Sequence, residues 1–190
     1  MKFKIISLLM LTMILSVTLF AKGPGDKVQD FTIKNYDGNT YTLSNVKDAK
    51  AVVVMFWSTQ CPFVQAYNDR INELVSDYQQ KGFVFWAINS NNTETASDVE
   101  QHVKKNNYIF PELKDDNNLV ADIFEATRTP EVFVIGKDNV ILYHGRIDDN
   151  KNKSEVTTHD LMNALNDIYS GKDVTVNSTK QFGCTIKKNS

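Results

Sequence analysis

The sequence predicts an α/β protein in which helices cover both faces of a mixed central sheet, a three-layer α/β/α arrangement. Residues 51–57 and 83–88 are apolar and rich in β-branched and aromatic side chains, a pattern typical of strands buried on both faces. Residues 131–135 and 140–144 form a further apolar pair around the polar turn 137–139, which predicts an antiparallel hairpin. Helical patterns alternate with these strands, and this order indicates one sheet between two helical layers.

Length and charge limit the possible functions. The chain has 190 residues, of which 42% are hydrophobic, and this suits a single domain with its own core. Lysine and arginine number 21 against 23 acidic residues, so the net charge is −2. Without a basic excess to neutralise phosphates, nucleic acid is not expected as a partner.

The N-terminus has the pattern of a secretory signal peptide. Lys2 and Lys4 precede an uncharged apolar stretch that ends at Ala21. We therefore expect residues 1–21 to direct the chain to the periplasm or to another exported location. Leu19 is large for a residue so close to a cleavage site, which leaves an uncleaved membrane anchor as the alternative.

The remaining chain is predicted to form a domain at residues 22–170 and a polar C-terminal tail at 171–190. The domain begins with two short strands, 28–33 and 40–43, which are expected to pair as an N-terminal β-hairpin across an Asp-Gly turn. The tail follows Gly171 and is expected to be mobile.

Four helices are expected within the domain. Their predicted spans are 61–78, 97–106, 119–125 and 156–169. Gly82 follows the first helix as its stop signal. Ser97 and Glu100 have the spacing of a capping box at the start of the second.

Cys61 is the residue at which we expect the chemistry. It lies where a buried strand ends and a helix begins, with Pro62 in the first helical turn, where a missing N–H costs nothing. The unpaired N–H groups and the helix dipole favour a thiolate, and the loop leaves the sulfur reachable. Because export removes the chain from the reducing cytosol, a disulfide with the only other cysteine, Cys184, can persist.

Several spaced motifs resemble the thioredoxin superfamily. Phe-Trp-Ser-Thr-Gln-Cys-Pro at 56–62 is similar to its active-site loop, and is closest to the redoxin branch of alkyl hydroperoxide reductases and thiol-specific antioxidant proteins. Further matching motifs are Ala-Ile-Asn-Ser-Asn-Asn at 87–92, Phe-Pro-Glu-Leu at 110–113, Arg-Thr-Pro at 128–130, Gly-Arg-Ile-Asp-Asp-Asn at 145–150 and Gly-Cys-Thr-Ile-Lys at 183–187. Together they resemble a peroxiredoxin-like subgroup, and the resemblance implies a thioredoxin-like fold.

The resemblance also implies roles for individual residues. Cys61 would be the attacking cysteine, followed by Pro62 at the start of its helix. Pro130 would be the cis-proline of the fold and lie beside the sulfur. Thr129 would present its backbone there to an extended substrate.

The chain departs from the family patterns in several places. Val64 stands where thioredoxins have their second cysteine, and Ser58 where many subgroup relatives have one, so a local Cys-x-x-Cys disulfide is impossible. In the peroxidase loop of peroxiredoxins, Ser58 would supply the hydroxyl and Arg128 the thiolate-stabilising guanidinium. Val54, however, replaces the proline of that loop.

Cys184 admits two interpretations. It resolves the chemistry by attacking an oxidised Cys61, or it is a free thiol on a disordered tail. We expect the resolving role, because a mobile tail can bring its thiol to a distant site.

The sequence therefore predicts an exported oxidoreductase that exchanges thiols and disulfides through Cys61. Its partners would be a protein disulfide or thiol and an external thiol electron donor. One alternative is a thiol peroxidase that reduces hydroperoxides, and another is a non-catalytic module that binds extended peptides. No cofactor is implied, and the three histidines lack the spacing of a metal site, so we expect no metal.

Overall fold

The computed structural model describes residues 22–189, so the predicted signal peptide at 1–21 lies outside the described residues. The strands of the described chain are β1 (Thr32–Lys34), β2 (Thr40–Thr42), β3 (Ala51–Phe56), β4 (Phe83–Asn89), β5 (Glu112–Lys114), β6 (Arg128–Thr129), β7 (Glu131–Ile135), β8 (Ile141–Gly145) and β9 (Cys184–Thr185). The α-helices are α1 (Pro62–Gln65), α2 (Asn68–Gln79), α3 (Ala96–Asn106), α4 (Leu119–Phe124) and α5 (Asp160–Tyr169). Within residues 22–189, no helix has both the length and the apolar character that crossing a bilayer requires.

The central sheet is mixed, as predicted, with the strand order β5-β4-β3-β7-β8. The strands β3, β4 and β5 run parallel, while β7 is antiparallel to both of its neighbours, β3 and β8. The predicted N-terminal hairpin is present as the separate antiparallel pair β1–β2. Because β3 is the central strand, Cys61, which follows its C-terminal end, lies at the middle of that edge of the sheet.

Side chains of β3 alternate between two cores, which confirms the three-layer arrangement. Val53 and Met55 lie in one core, together with residues of α1, α2 and α5. Val52, Val54 and Phe56 lie in the other core, with residues of α4 and of the N-terminal hairpin. Both sets are buried because successive strand residues point to opposite faces of a sheet that is covered on each side.

The first predicted helix is divided into α1 and α2 at Ala66 and Tyr67. The Tyr67 N–H donates to the Val64 carbonyl at 2.8 Å, an i→i−3 bond that tightens the chain at the end of α1. The Tyr67 side chain is fully buried there. The apolar periodicity continues through the break, and for this reason the sequence pattern does not reveal it.

The capping box of α3 lies two residues before the predicted one. Thr95, rather than Ser97, is the N-cap; its hydroxyl accepts the Asp98 N–H at 3.2 Å. The Asp98 carboxylate in turn accepts the Thr95 N–H at 2.7 Å and the Thr95 hydroxyl at 2.7 Å, and these two bonds to the carboxylate lower the pKa of Asp98. Both Thr95/Asp98 and Ser97/Glu100 have the required spacing, but α3 begins at Ala96.

The C-terminal residues are packed against the domain, where the sequence predicts a mobile tail after Gly171. The Thr179 N–H donates to the His144 carbonyl at 3.1 Å, and the Ile186 N–H donates to the Thr127 carbonyl at 3.0 Å. Ile186 is only 5% exposed. Burial of this side chain and the backbone pairing offset the entropy of ordering the segment.

We predict that Thr95→Ala lowers the free energy of unfolding by about 1 kcal/mol, because the N-cap acceptor of α3 is lost. The lowered pKa of Asp98 means that its bonds to Thr95 stabilise the fold above the ordinary aspartate pKa and weaken as pH falls through the lowered value. The cost of Thr95→Ala should therefore shrink in acid. Urea unfolding at neutral and acidic pH measures both effects. The control Ser97→Ala should be nearly neutral, and an equal cost for both variants would contradict the observed cap.

Candidate active site

Cys61 lies at the junction between β3 and α1, as predicted. The Trp57 N–H still pairs with the Ile88 carbonyl of β4 at 2.9 Å, and a three-residue loop then leads to Cys61. Cys61 has an extended backbone, with φ of −80° and ψ of 117°, and Pro62 is the first residue of α1. The sulfur is nevertheless not open to solvent, since Cys61 is only 1% exposed.

Cys184 is the side chain that lies against Cys61. Its strand, β9, pairs antiparallel with β6, and this register places Cys184 opposite Thr129. Both cysteines are free thiols, and their sulfur atoms are 2.7 Å apart. Cys61 Sγ also lies 3.1 Å from the Thr129 carbonyl oxygen. The fold therefore brings together two thiols that are far apart in the sequence.

The environment of Cys184 favours its protonated form. Burial raises the pKa of this thiol to about 11, and the hydrogen bond and the charge of Cys61 act in the same direction. The Phe63 N–H and the positive charge of Lys187 oppose the shift. Cys184 therefore carries its proton at neutral pH and must lose it before it can act as a nucleophile.

Arg128 and Pro130, which the resemblance also singled out, are the chain neighbours of Thr129, the residue opposite Cys184. The Thr129–Pro130 peptide bond is cis, as the resemblance implies. Arg128 donates from Nη1 to the Gly183 carbonyl at 3.3 Å and to Thr185 Oγ1 at 3.4 Å. These contacts direct the guanidinium to the residues on either side of Cys184.

Glu94 holds the loop that precedes Cys61, and the sequence analysis missed it. This buried carboxylate accepts the Ser58 hydroxyl at 2.6 Å, the Thr59 N–H at 2.6 Å and the Asn89 side-chain N–H at 2.7 Å. The Ser58 hydroxyl is therefore a hydrogen-bond donor to Glu94. No local signal marks Glu94, because it lies 36 residues beyond Ser58 in the chain.

Glu131 is a second buried carboxylate that sequence reasoning missed. Its Oε2 accepts the N–H groups of Thr127 and Arg128 at 2.9 and 2.8 Å, which fixes the backbone of β6. Its Oε1 lies 2.8 Å from His144 Nε2 and accepts the Gln181 side-chain N–H at 3.1 Å. A charged residue in the otherwise apolar strand Glu131–Ile135 is the signal that could have identified it.

We predict that Glu94→Gln destabilises the protein by about 1–3 kcal/mol, since an amide cannot accept all three donors that surround it. Urea unfolding measures the loss. The control is Glu100→Gln, which removes an exposed carboxylate paired with Lys104 and should change stability by less than about 0.5 kcal/mol. Equal effects of the two variants would show that Glu94 does not hold the loop.

Comparison with known proteins finds a matching family model and several similar chains. The AhpC/TSA family model matches residues 24–144, a range that includes Cys61 and ends before Cys184. The chain is 26% identical to the "Thioredoxin-like protein" of Haemophilus influenzae, over 68% of this chain and 75% of that protein. It is 29% identical to "Thiol-disulfide oxidoreductase ResA" of Oceanobacillus iheyensis, over 58% of each chain.

Solved structures agree with the fold over most of the chain. A hypothetical protein from Sinorhizobium meliloti 1021 is 34% identical, with a TM-score of 0.82 over 90% of this chain and 97% of that one. Peroxidoxin BcpB from Mycobacterium tuberculosis shares the fold at 18% identity, with a TM-score of 0.57 over 78% of this chain and 94% of that one. With the family model matching more than half of the sequence and the thioredoxin-like fold confirmed, the chain belongs to the AhpC/TSA family.

Proposed function

We propose that this member of the AhpC/TSA family is a thiol-disulfide oxidoreductase, in which Cys61 attacks a partner disulfide and Cys184 resolves the intermediate. The observation that carries the proposal is the 2.7 Å separation of the two sulfur atoms. The relative named thiol-disulfide oxidoreductase ResA supports the same activity. The second cysteine is supplied by a strand from the C-terminus instead of by the turn after Cys61.

Each step of the exchange balances in bonds and electrons. The Cys61 thiolate attacks one sulfur of the partner disulfide; a new S–S bond forms, and the other partner sulfur leaves as a thiolate and takes up a proton. Cys184, once deprotonated, then attacks Cys61 Sγ, so that the intrachain disulfide forms and the first partner sulfur is released as a thiolate. Two electrons have passed to the partner, and an external thiol reductant restores both cysteines.

Peroxide reduction is the second candidate, and two contacts count against it. The Ser58 hydroxyl donates to Glu94, and Arg128 donates to Gly183 and Thr185. A peroxidase needs such groups directed at the attacking sulfur and the bound peroxide. Membership of the AhpC/TSA family still makes a hydroperoxide the competing substrate to test.

The proposed place of action is outside the cytosol. The signal pattern at residues 1–21 supports export, and an oxidising compartment is where a reversible intrachain disulfide persists. The partners there would be a disulfide-containing protein and an external thiol donor. Should residues 1–21 be retained, they would anchor the same domain to the membrane.

We predict that the chain without residues 1–21 accelerates the reduction of insulin disulfides by dithiothreitol, and that Cys61→Ser reduces the rate to background. Hydrogen peroxide consumption by the same protein should be slow, because the Ser58 hydroxyl and the Arg128 guanidinium are hydrogen-bonded to Glu94 and to residues 183 and 185. Rapid peroxide consumption that depends on Cys61, without insulin reduction, would instead establish the peroxidase. Absence of both activities would favour the peptide-binding module.

We also predict that mild oxidation forms a Cys61–Cys184 disulfide within one chain and does not link two chains. Non-reducing peptide mapping by mass spectrometry should recover the linked peptides, and dilution before oxidation should not reduce their yield. Cys184→Ser should instead accumulate a mixed disulfide with a thiol partner. If only intermolecular disulfides form, Cys184 does not resolve within the chain.

A further inference from the structure

The backbone edge beside Cys61 is covered by the chain's own C-terminus. Residues 182–187, here called the docked segment, contain β9, which pairs with β6. In the part of the chain that the structure describes, β6 has no other strand partner. A free strand edge is a template to which an extended peptide can add as a further strand. The docked segment therefore covers the strand edge next to Cys61 Sγ.

Side chains anchor the docked segment on both sides of its cysteine. Two residues before Cys184, the ring of Phe182 packs edge-on against Phe63, with 5.9 Å between ring centroids. Two residues after it, Ile186 is buried in the core that contains Phe56. The site thus accommodates an apolar residue on each side of a central cysteine.

Gly183, immediately before the cysteine, meets a strict steric limit. Its backbone φ of +152° is a value that residues with a Cβ atom rarely adopt. A Cβ at this position would lie 2.1 Å from the Thr129 carbonyl oxygen and 2.7 Å from the Thr129 carbonyl carbon. Since these are backbone atoms of β6, they cannot move aside as a flexible side chain would. Only glycine fits between this edge and the cysteine.

We infer that the docked segment occupies the site of an extended partner segment, and that this site selects glycine immediately before the partner's reactive cysteine. The preferred partner segment also carries an apolar residue two positions before the cysteine and another two positions after it. This inference rests on the proposed exchange at Cys61, and it specifies which residues flank the reactive cysteine of the partner. Because Cys61 is only 1% exposed, the docked segment must leave before the partner segment binds.

The docked segment is then both a competitor and the resolving element. With the partner bound on β6, Cys61 attacks the partner cysteine sulfur; their S–S bond forms, and the partner's own S–S bond breaks with loss of its other sulfur as a thiolate. The return of the docked segment brings Cys184 back to Cys61. Attack by its thiolate forms the Cys61–Cys184 bond and expels the partner cysteine as a thiolate, so the same movement completes the reaction and clears the site.

The test uses full-domain variants in which Cys61 is the only cysteine. Gly183→Ala/Cys184→Ser should displace the docked segment, whereas the matched control Gly23→Ala/Cys184→Ser should leave it in place, because a methyl group at Gly23 would meet nothing within 4 Å beyond its chain neighbours. The probes are the heptapeptide Gln-Phe-Gly-Cys-Thr-Ile-Lys and its counterpart with alanine for glycine. Each carries thionitrobenzoate on its cysteine, so that attack by Cys61 releases a coloured thiolate. Dithiobis(nitrobenzoate) serves as a small disulfide without peptide contacts.

The glycine peptide should react with the displaced variant faster than the alanine peptide by about tenfold or more, and faster than it reacts with the Gly23→Ala control. Ile186→Ser/Cys184→Ser, which removes a buried anchor, provides a second displaced variant if the first folds poorly. Equal rates for the two peptides, while the small disulfide still labels Cys61, would overturn the inference and leave the proposed exchange intact. Failure of every probe to label Cys61 would refute the exchange itself.

Discussion

The antiparallel pairing of β6 with β9 is the interaction on which the active site depends. It places Cys184 opposite Thr129 and its sulfur 2.7 Å from that of Cys61. The pairing is short, and the burial of Ile186 reinforces it. A ladder of this length is nevertheless specific in register, because the shift of one residue would turn Cys184 to the other face.

Two buried carboxylates hold the backbone on either side of the sulfur pair. Glu94 fixes the loop before Cys61, and Glu131 fixes β6 by accepting the N–H groups of Thr127 and Arg128. Glu94 accepts one backbone N–H and Glu131 accepts two, and leaving a buried group of this kind unsatisfied is costly. Buried hydrogen bonds thus hold the backbone around Cys61, while side-chain anchors and a two-residue ladder hold the strand that carries Cys184.

Much of the architecture follows from local sequence patterns. The apolar strands β3 and β4, the junction at Cys61-Pro62 and the closing hairpin are predicted correctly because each depends on a few adjacent residues. Two errors occur where the local sequence pattern fits more than one structure. Ser97 and Thr95 offer equivalent capping spacings, and the i→i−3 bond at Tyr67 interrupts a helical pattern that continues on both sides.

The sequence alone determined the α/β class, the helix start at Cys61 and the resemblance to the redoxin branch, because these are set by residue type and short-range spacing. Only the tertiary structure decided that the C-terminal residues pack against β6, that Glu94 engages the Ser58 hydroxyl and that the two thiols meet. Each of these contacts joins residues far apart in the chain. Their formation depends on the sheet order and on competition among buried polar groups, neither of which leaves a local pattern in the sequence.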